Sequence, residues 1–178
     1  MQHFSSATRR TFQPPFTVRV ERGIYRLARF SQLNEEQLVI YHLWSGNRAG
    51  APEGVYSHQT ALSIHEFLDV NPSKLHMTVP LTFRRTSITP KILVLHRASL
   101  NEKDVLQRHG LAVTRPLRAI ADLAVAESAA ESVSRDILEQ ALREGRKRGL
   151  ITMRELSELR HQGQIPKLFD ELLVEGQR

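Results

Sequence analysis

The segment HEFLD at residues 65–69 comes nearest to a catalytic metal motif in this sequence. A metalloprotease helix carries two histidines four positions apart, with a glutamate after the first histidine as general base. Here Asp69 occupies the second histidine position, no third ligand is evident, and His58 lies seven residues before His65. We therefore interpret the segment as a polar helix face or a core histidine, and we expect no metal and no cofactor.

Ser57 and His58 are of the types that carry out nucleophilic catalysis. Adjacent residues of a helix are not expected to face each other, however. The sequence also contains no G-x-S-x-G elbow and no Gly-rich phosphate loop, and the predicted strands 75–79 and 92–95 lack the acids of a metal nuclease. We therefore expect Ser57 to cap a helix, and we predict that the protein is not an enzyme.

The stretch 54–80 contains the elements that position these residues. It predicts a turn, a short strand, a helix capped by Ser57 and, over residues 75–79, a strand of alternating polarity. Residues 92–95 are apolar on both faces, which indicates an interior strand, and residues 110–114 predict another short strand. These strands would support the helix that carries the Ser57–His58 pair.

Further elements are predicted on both sides of this stretch. Residues 16–27 alternate around Gly23 and predict a β-hairpin, and residues 34–45 predict a broadly apolar helix. Residues 101–109 suggest a polar helix or turn. Helices are expected to begin at Pro116 and at a capping box at Thr152, and a longer one is expected over residues 131–148.

The fold class that follows is mixed α/β (α+β), with a small mixed sheet packed by helices and a helical C-terminal part. We expect the sheet to combine the strands near 16–27, 75–79, 92–95 and 110–114. We divide the chain into a basic N-terminal arm with a wing-like hairpin, residues 1–30, and a domain that spans residues 31–178.

Composition limits the location and the partners. The chain has no cysteine, no apolar run of the roughly 20 residues that a membrane span needs and no signal-peptide core, so we expect a cytoplasmic protein without membrane contact. Residues 1–30 carry six arginines and one acid, which accounts for most of the net charge of +6. A solvated leader is one interpretation of this arm, and a phosphate-binding footprint is the other. The candidate nucleic-acid-binding residues are Arg9, Arg10, Arg19, Arg22 and Arg26.

Arg84 and Arg85 form a second basic group. If the strands at 75–79 and 92–95 pair, the two arginines would make a basic sheet edge with Lys91, His96 and Arg97. Charged residues also protect exposed sheet edges from aggregation, and we favour this second explanation.

Short motifs along the chain resemble those of the AbiEi family of antitoxins and transcriptional regulators. They agree in order and spacing over about residues 20–160, which makes them more specific together than singly. The motifs are RGIY (22–25), YHLWSG (41–46), VYSHQTAL (55–62), HMTVP (76–80), VLHRA (94–98), VTRPL (113–117), DLA (122–124), LEQAL (138–142), RGL (148–150) and the Thr152 capping box.

The resemblance implies a type IV toxin–antitoxin system linked to abortive phage infection, with a nucleotidyltransferase-like toxin. Family members carry a winged helix-turn-helix before the antitoxin domain and repress their own operon. In this sequence 21 residues precede Arg22, so we expect only a remnant of the winged helix, without the helix that reads a major groove. Contact with DNA would then be non-specific and salt-sensitive.

The leading functional hypothesis is an antitoxin-like protein that counteracts the toxin, with or without direct contact. The alternative is a DNA-binding transcriptional repressor that acts through the basic arm, with a homodimer as a candidate assembly. A hydrolase or nuclease that shares only the fold is a third hypothesis. The candidate partner-facing residues are Ser57, His58, Arg84, Arg85 and Arg97.

Overall fold

The structure is a computed structural model, and its described residues fall into two units, residues 1–52 and residues 53–178. The described ranges are 17–21, 23–27, 34–67, 72–125 and 133–161. The division at residue 30 that the sequence suggests stays a prediction.

A hairpin and a helix make up the described part of the first unit. Strands β1 (Thr17–Glu21) and β2 (Ile24–Leu27) pair antiparallel, so the predicted hairpin is confirmed. Gly23 has a φ of +82°, a conformation that glycine adopts without steric cost and that the tight turn requires. Helix α1 (Asn34–Trp44) follows and buries the indole of Trp44.

A five-stranded mixed sheet organises the second unit, and the predicted α/β class is confirmed. In space its strands follow the order β5-β4-β3-β7-β6. The β4–β5 and β3–β7 pairs are parallel, whereas β3–β4 and β6–β7 are antiparallel. The strands are β3 (Val55–Tyr56), β4 (Leu75–Val79), β5 (Leu93–Arg97), β6 (Val105–Arg108) and β7 (Leu111–Thr114).

Four helices and a 3-10 turn accompany this sheet. The predicted capping box is confirmed, since the Glu155 amide donates to Thr152 Oγ1 at 3.2 Å and the Thr152 amide donates to Glu155 Oε2 at 2.8 Å. Among the described residues, no helix combines the length and apolar character that a bilayer crossing requires. The helices are α2 (His58–Ile64), α3 (Pro116–Ala124), α4 (Arg135–Lys147) and α5 (Met153–His161), and the 3-10 turn is Glu102–Asp104.

One prediction about the sheet is wrong, and another is correct only in part. The strands at 16–27 pair only with each other and do not join the larger sheet, because alternation predicts a strand but not its partner. The polar helix or turn expected over 101–109 is a 3-10 turn followed by β6. The helix-like pattern came from Asn101 and Asp104, whose capping box closes this single turn.

In the core of the second unit α2 packs against β4 and β7, α3 packs against α2, and α4 packs against α3. Tyr56, Met77 and Val113, on three adjacent strands, are fully buried. The alternation of β4 predicts a half-buried strand with His76 and Thr78 towards solvent, but these two side chains are only 3% and 2% exposed. Both faces of β4 are therefore buried, and its polar face requires polar partners.

Candidate functional site

The polar face of β4 lies within a cluster of three histidines. In the parallel pair of β4 and β5, Thr78 is opposite His96 and His76 is opposite Val94, so the two histidines are diagonal neighbours. His76 Nδ1 lies 3.0 Å from His96 Nε2, a hydrogen bond in which one ring donates and the other accepts. The ring of His58 stacks on that of His96 with centroids 3.7 Å apart. We call His58, His76 and His96 the histidine cluster.

Ser57 connects α2 to this cluster. Thr78 Oγ1 donates a hydrogen bond to Ser57 Oγ at 2.8 Å, and Ser57 Oγ lies 3.0 Å from His58 Nδ1. Ser57 occupies the predicted N-cap position, but its side chain makes no capping hydrogen bond. The structure therefore confirms the helix start at Ser57 and assigns the hydroxyl to the cluster.

The backbone of His58 turns its ring towards Ser57. His58 has a φ of +53°, in the left-handed region, where residues other than glycine are uncommon. The expectation that Ser57 and His58 do not face each other is thus wrong, because it assumed helical geometry for both residues. A left-handed non-glycine residue costs about 1–2 kcal/mol, which the surrounding packing must offset.

A further hydrogen bond holds the start of α2 against β4. The His76 amide donates to Thr60 Oγ1 at 2.8 Å, and the Thr60 side chain is buried. Ser57 precedes the helix, and its own amide donates to the His76 carbonyl at 3.1 Å. The first turn of α2 therefore continues the hydrogen bonding of the sheet, which fixes the position of the His58 ring.

His65 lies outside the cluster. Its Nε2 is 2.8 Å from the carbonyl oxygen of Thr114, at the end of β7, and its burial lowers its pKa. His58 at the start of α2 and His65 just after its end therefore do not converge, and His65 is the core histidine that the sequence suggests. Within the described ranges, no group of three or more acids or histidines could hold a metal ion.

The electrostatics of the cluster favour a neutral His58 ring. The pKa of His58 is lowered to about 3, chiefly because the ring is buried and further by electrostatic interaction with His96, His76 and Arg118. At neutral pH His58 is therefore uncharged. An uncharged imidazole has one donor and one acceptor nitrogen, which is what stacked and hydrogen-bonded rings in a buried site require.

An ion-pair group on α3 adjoins the cluster. Arg118 Nε donates to Asp122 Oδ1 at 2.8 Å, and Arg118 Nη1 lies 3.4 Å from Asp104 Oδ2. Burial raises the pKa of the Asp122 carboxyl, while the charge of Arg118 and that of His96 lower it. Arg118, Asp122 and Asp104 also line an open cavity of about 690 Å³ beside α3 and α5. The ion-pair group therefore faces a solvent-accessible cavity.

The geometry of the Ser57–His58 pair does not suit attack on a substrate. The Ser57 residue is 0% exposed, and its hydroxyl oxygen already accepts from Thr78. A nucleophile must reach a substrate atom at about 3–3.5 Å, and in this conformation Ser57 is closed to any ligand. The arrangement holds α2, β4 and β5 in one fixed geometry.

The arginines of the predicted nucleic-acid footprint lie mostly outside the described residues. This applies to Arg9, Arg10 and Arg22, and also to the side chain of Arg26, whose backbone belongs to β2. Arg19 is described, and its side chain on β1 is exposed, with Nε 3.4 Å from the Glu21 carbonyl oxygen. Their role in nucleic-acid binding stays a prediction.

The residues predicted to face a partner are found in two places. Ser57 and His58 are buried in and beside the histidine cluster, whereas Arg84 and Arg97 are exposed and Arg85 is half-buried. The pairing of the strands at 75–79 and 92–95, on which the basic edge depended, is confirmed, but residues 80–92, which carry Arg84 and Arg85, form no strand. Arg97 Nη1 instead donates to the carbonyl oxygens of that segment, which brings the arginines together in a different way.

Little in the sequence indicated that His76 and His96 would come together, or that Arg118 and Asp122 would form an ion pair near them. Their segments were each placed on a strand or helix, but the parallel pairing of β4 with β5 brings the histidines together. Parallel neighbours are joined by long connections and leave no short-range pattern. The i, i+4 spacing of Arg118 and Asp122 on a helix was a usable signal for their ion pair.

No model of a known protein family matches the sequence, and no curated protein matches it. The likeness to the AbiEi family therefore stays a proposal that rests on the motifs. What the structure adds is the place of those motifs in the fold.

Proposed function

We propose that this chain is an antitoxin-like protein of a type IV toxin–antitoxin system, which acts in the cytoplasm and counteracts a nucleotidyltransferase-like toxin. One observation carries the proposal. Three motifs that are distant in sequence contribute to one polar group, and the segments are 55–62, 76–80 and 94–98. Chance matches to weak motifs have no reason to converge in space, so the convergence supports their common origin.

We further propose that the protein opposes its toxin without catalysis. The hydroxyl of Ser57 is buried and already hydrogen-bonded, and the His58 ring stacks on that of His96. Buried polar networks whose members are all satisfied make a protein rigid and define a unique conformation. The histidine cluster would then shape the surface that acts on the toxin or on its target.

Co-expression tests this function. The chain is expressed with a nucleotidyltransferase-like toxin encoded beside its gene, and growth is followed against an empty vector. The variant Arg9→Glu/Arg10→Glu distinguishes the contribution of the N-terminal arm from that of the second unit. We expect both the wild-type chain and this variant to restore growth, because the proposed antitoxin function resides in residues 53–178. Growth arrest in the presence of either soluble protein would contradict the proposal.

The repressor hypothesis remains a second candidate because the hairpin predicted for a remnant wing is present and exposes Arg19. It predicts that the protein binds its own operator more tightly than random duplex. Titrations of both duplexes at two salt concentrations test it. Equal affinities that fall together with rising salt would identify non-specific phosphate binding and would exclude a specific repressor.

A further inference from the structure

The connection between β4 and β5 is unusual in its charge. Residues 70–101 contain five lysines or arginines and no aspartate or glutamate. The connection itself, residues 80–92, has no helix or strand and carries Arg84, Arg85 and Lys91. We call residues 80–92 together with Lys74 the basic loop.

Contacts at both ends hold the basic loop against the sheet. At one end, Arg97 Nη1 donates to the Phe83 carbonyl oxygen at 2.8 Å, and the Phe83 side chain is buried. At the other end, Lys74 Nζ donates to the Lys91 carbonyl oxygen. The two contacts are at opposite ends of β5, whose five residues span about 16 Å at about 3.3 Å per residue. The loop therefore presents its cations along a line of defined length.

The cations of the loop are available to a ligand. Arg84, Lys91 and Lys74 are exposed, and no described carboxylate lies within ion-pairing distance of them. Most other arginines of the second unit contrast with this, since Arg108 and Arg154 each pair with a glutamate. Exposed hydroxyl groups accompany the cations, from Thr82, Thr86 and Thr89.

Protection of the sheet edge explains only part of this pattern. β5 is an edge strand, and charges there discourage pairing with other chains. Charged side chains in general discourage edge pairing, with lysine used most often, so protection alone does not require a stretch without acids. The same stretch carries hydroxyls and cations, which are the side chains that contact phosphate oxygens in nucleic-acid complexes.

We infer that the basic loop is a nucleic-acid-binding surface that contacts the phosphodiester backbone, separately from the N-terminal arm. Phosphates follow one another every 3.4 Å along each strand of duplex DNA, so a line of about 16 Å faces about five of them. The only aromatic side chain of the loop, Phe83, is buried and cannot stack on a base. Binding is therefore directed to the backbone and independent of sequence. This inference goes beyond the proposed antitoxin function and does not depend on it.

Fluorescence anisotropy of the full chain tests the inference, with a labelled 20-nucleotide RNA and a 20-base-pair DNA duplex as probes. The variant Arg84→Glu/Lys91→Glu reverses two charges of the basic loop. The control Arg143→Glu/Lys147→Glu reverses two exposed charges on α4 and changes the net charge equally. A third variant, Arg9→Glu/Arg10→Glu, reports on the arm. Titrations at 50 and 200 mM salt give the salt dependence, and the two probes distinguish single strands from duplexes.

We expect the loop variant to bind about tenfold more weakly at low salt than the control variant. Loss of two phosphate contacts lowers the slope of log K against log salt by about 1.8 for the duplex or about 1.4 for the single strand. Equal loss in the loop and control variants would indicate a net-charge effect and would overturn the inference. Binding that only the arm variant weakens would also overturn the inference. A wild-type chain that binds neither probe would overturn it as well, and this result is expected if the exposed Leu81 and Ile88 contact a protein partner instead.

Discussion

His58 is expected to make the stability of this protein depend on pH, and the variant His58→Asn tests this. The histidine is buried in the cluster, and its pKa is lowered to about 3 from an ordinary value of 6.5. Asparagine tolerates the left-handed conformation at this position. His109 supplies a matched control, since it is exposed and has a φ of +52°, against +53° at His58.

The magnitude follows from the difference in proton binding between the two states. Between pH 6.5 and about 3 the unfolded chain protonates His58 and the folded chain does not. The unfolded state then binds more protons, so the free energy of unfolding rises with pH. The stabilisation is complete above pH 6.5 and is lost as the pH falls. At about 1.4 kcal/mol per pH unit, protonation of His58 in the unfolded chain lowers the free energy of unfolding by about 2 kcal/mol between pH 7 and pH 5.

Urea unfolding at pH 7, 6 and 5 measures this effect. We expect the pH-dependent loss of stability to be about 2 kcal/mol smaller in His58→Asn than in the wild type, and unchanged in His109→Asn. Burial also lowers the pKa of His65, which therefore makes a contribution of the same sign to the pH dependence of stability in all three proteins. The comparison therefore isolates His58. A loss of stability as steep in His58→Asn as in the wild type would refute the assignment of a buried, neutral His58.

Two further predictions concern packing and hydrogen bonding. A Cβ at Gly145 would lie 2.5 Å from Ile151 Cδ1, so Gly145→Ala should destabilise the fold by about 1 kcal/mol or more, although alanine has the better helix propensity. The destabilisation should be smaller in an Ile151→Val background. If urea unfolding shows that the effects of the two substitutions are additive, the contact is contradicted. Thr60→Val removes the acceptor of the His76 amide and should lower the free energy of unfolding by about 1–3 kcal/mol. Thr60→Ser keeps an acceptor and should lower it by less. Equal stabilities of these two variants would exclude a contribution of that hydrogen bond.

Local patterns predicted much of the secondary structure correctly. The hairpin around Gly23, the strand at 75–79 and the capping box at Thr152 each depend on residues close in sequence. Turn preferences, side-chain alternation and capping all act within a few residues. These elements therefore needed no knowledge of the rest of the fold.

The candidate site could not be predicted in the same way. The polar face of β4 was expected to be solvated, because alternation shows which residues share a face but not what covers it. The parallel neighbour β5 brings His96 to His76, and the left-handed backbone of His58 turns its ring onto His96. The pairing is a long-range feature, and the strain becomes acceptable only in the folded environment. The sequence shows which residues are histidines, but it does not show that they lie next to one another in the fold.

The measurement that tests the central claim most directly is toxin neutralisation by His58→Asn beside His109→Asn. Both variants replace a histidine at nearly the same positive φ, but only one lies in the histidine cluster. Circular dichroism and thermal unfolding first establish that both variants are folded. If the cluster is the centre of an antitoxin-like protein, His109→Asn restores growth like the wild type and folded His58→Asn does not. Equal rescue by the two variants would contradict the claim that the converging motifs form the functional site.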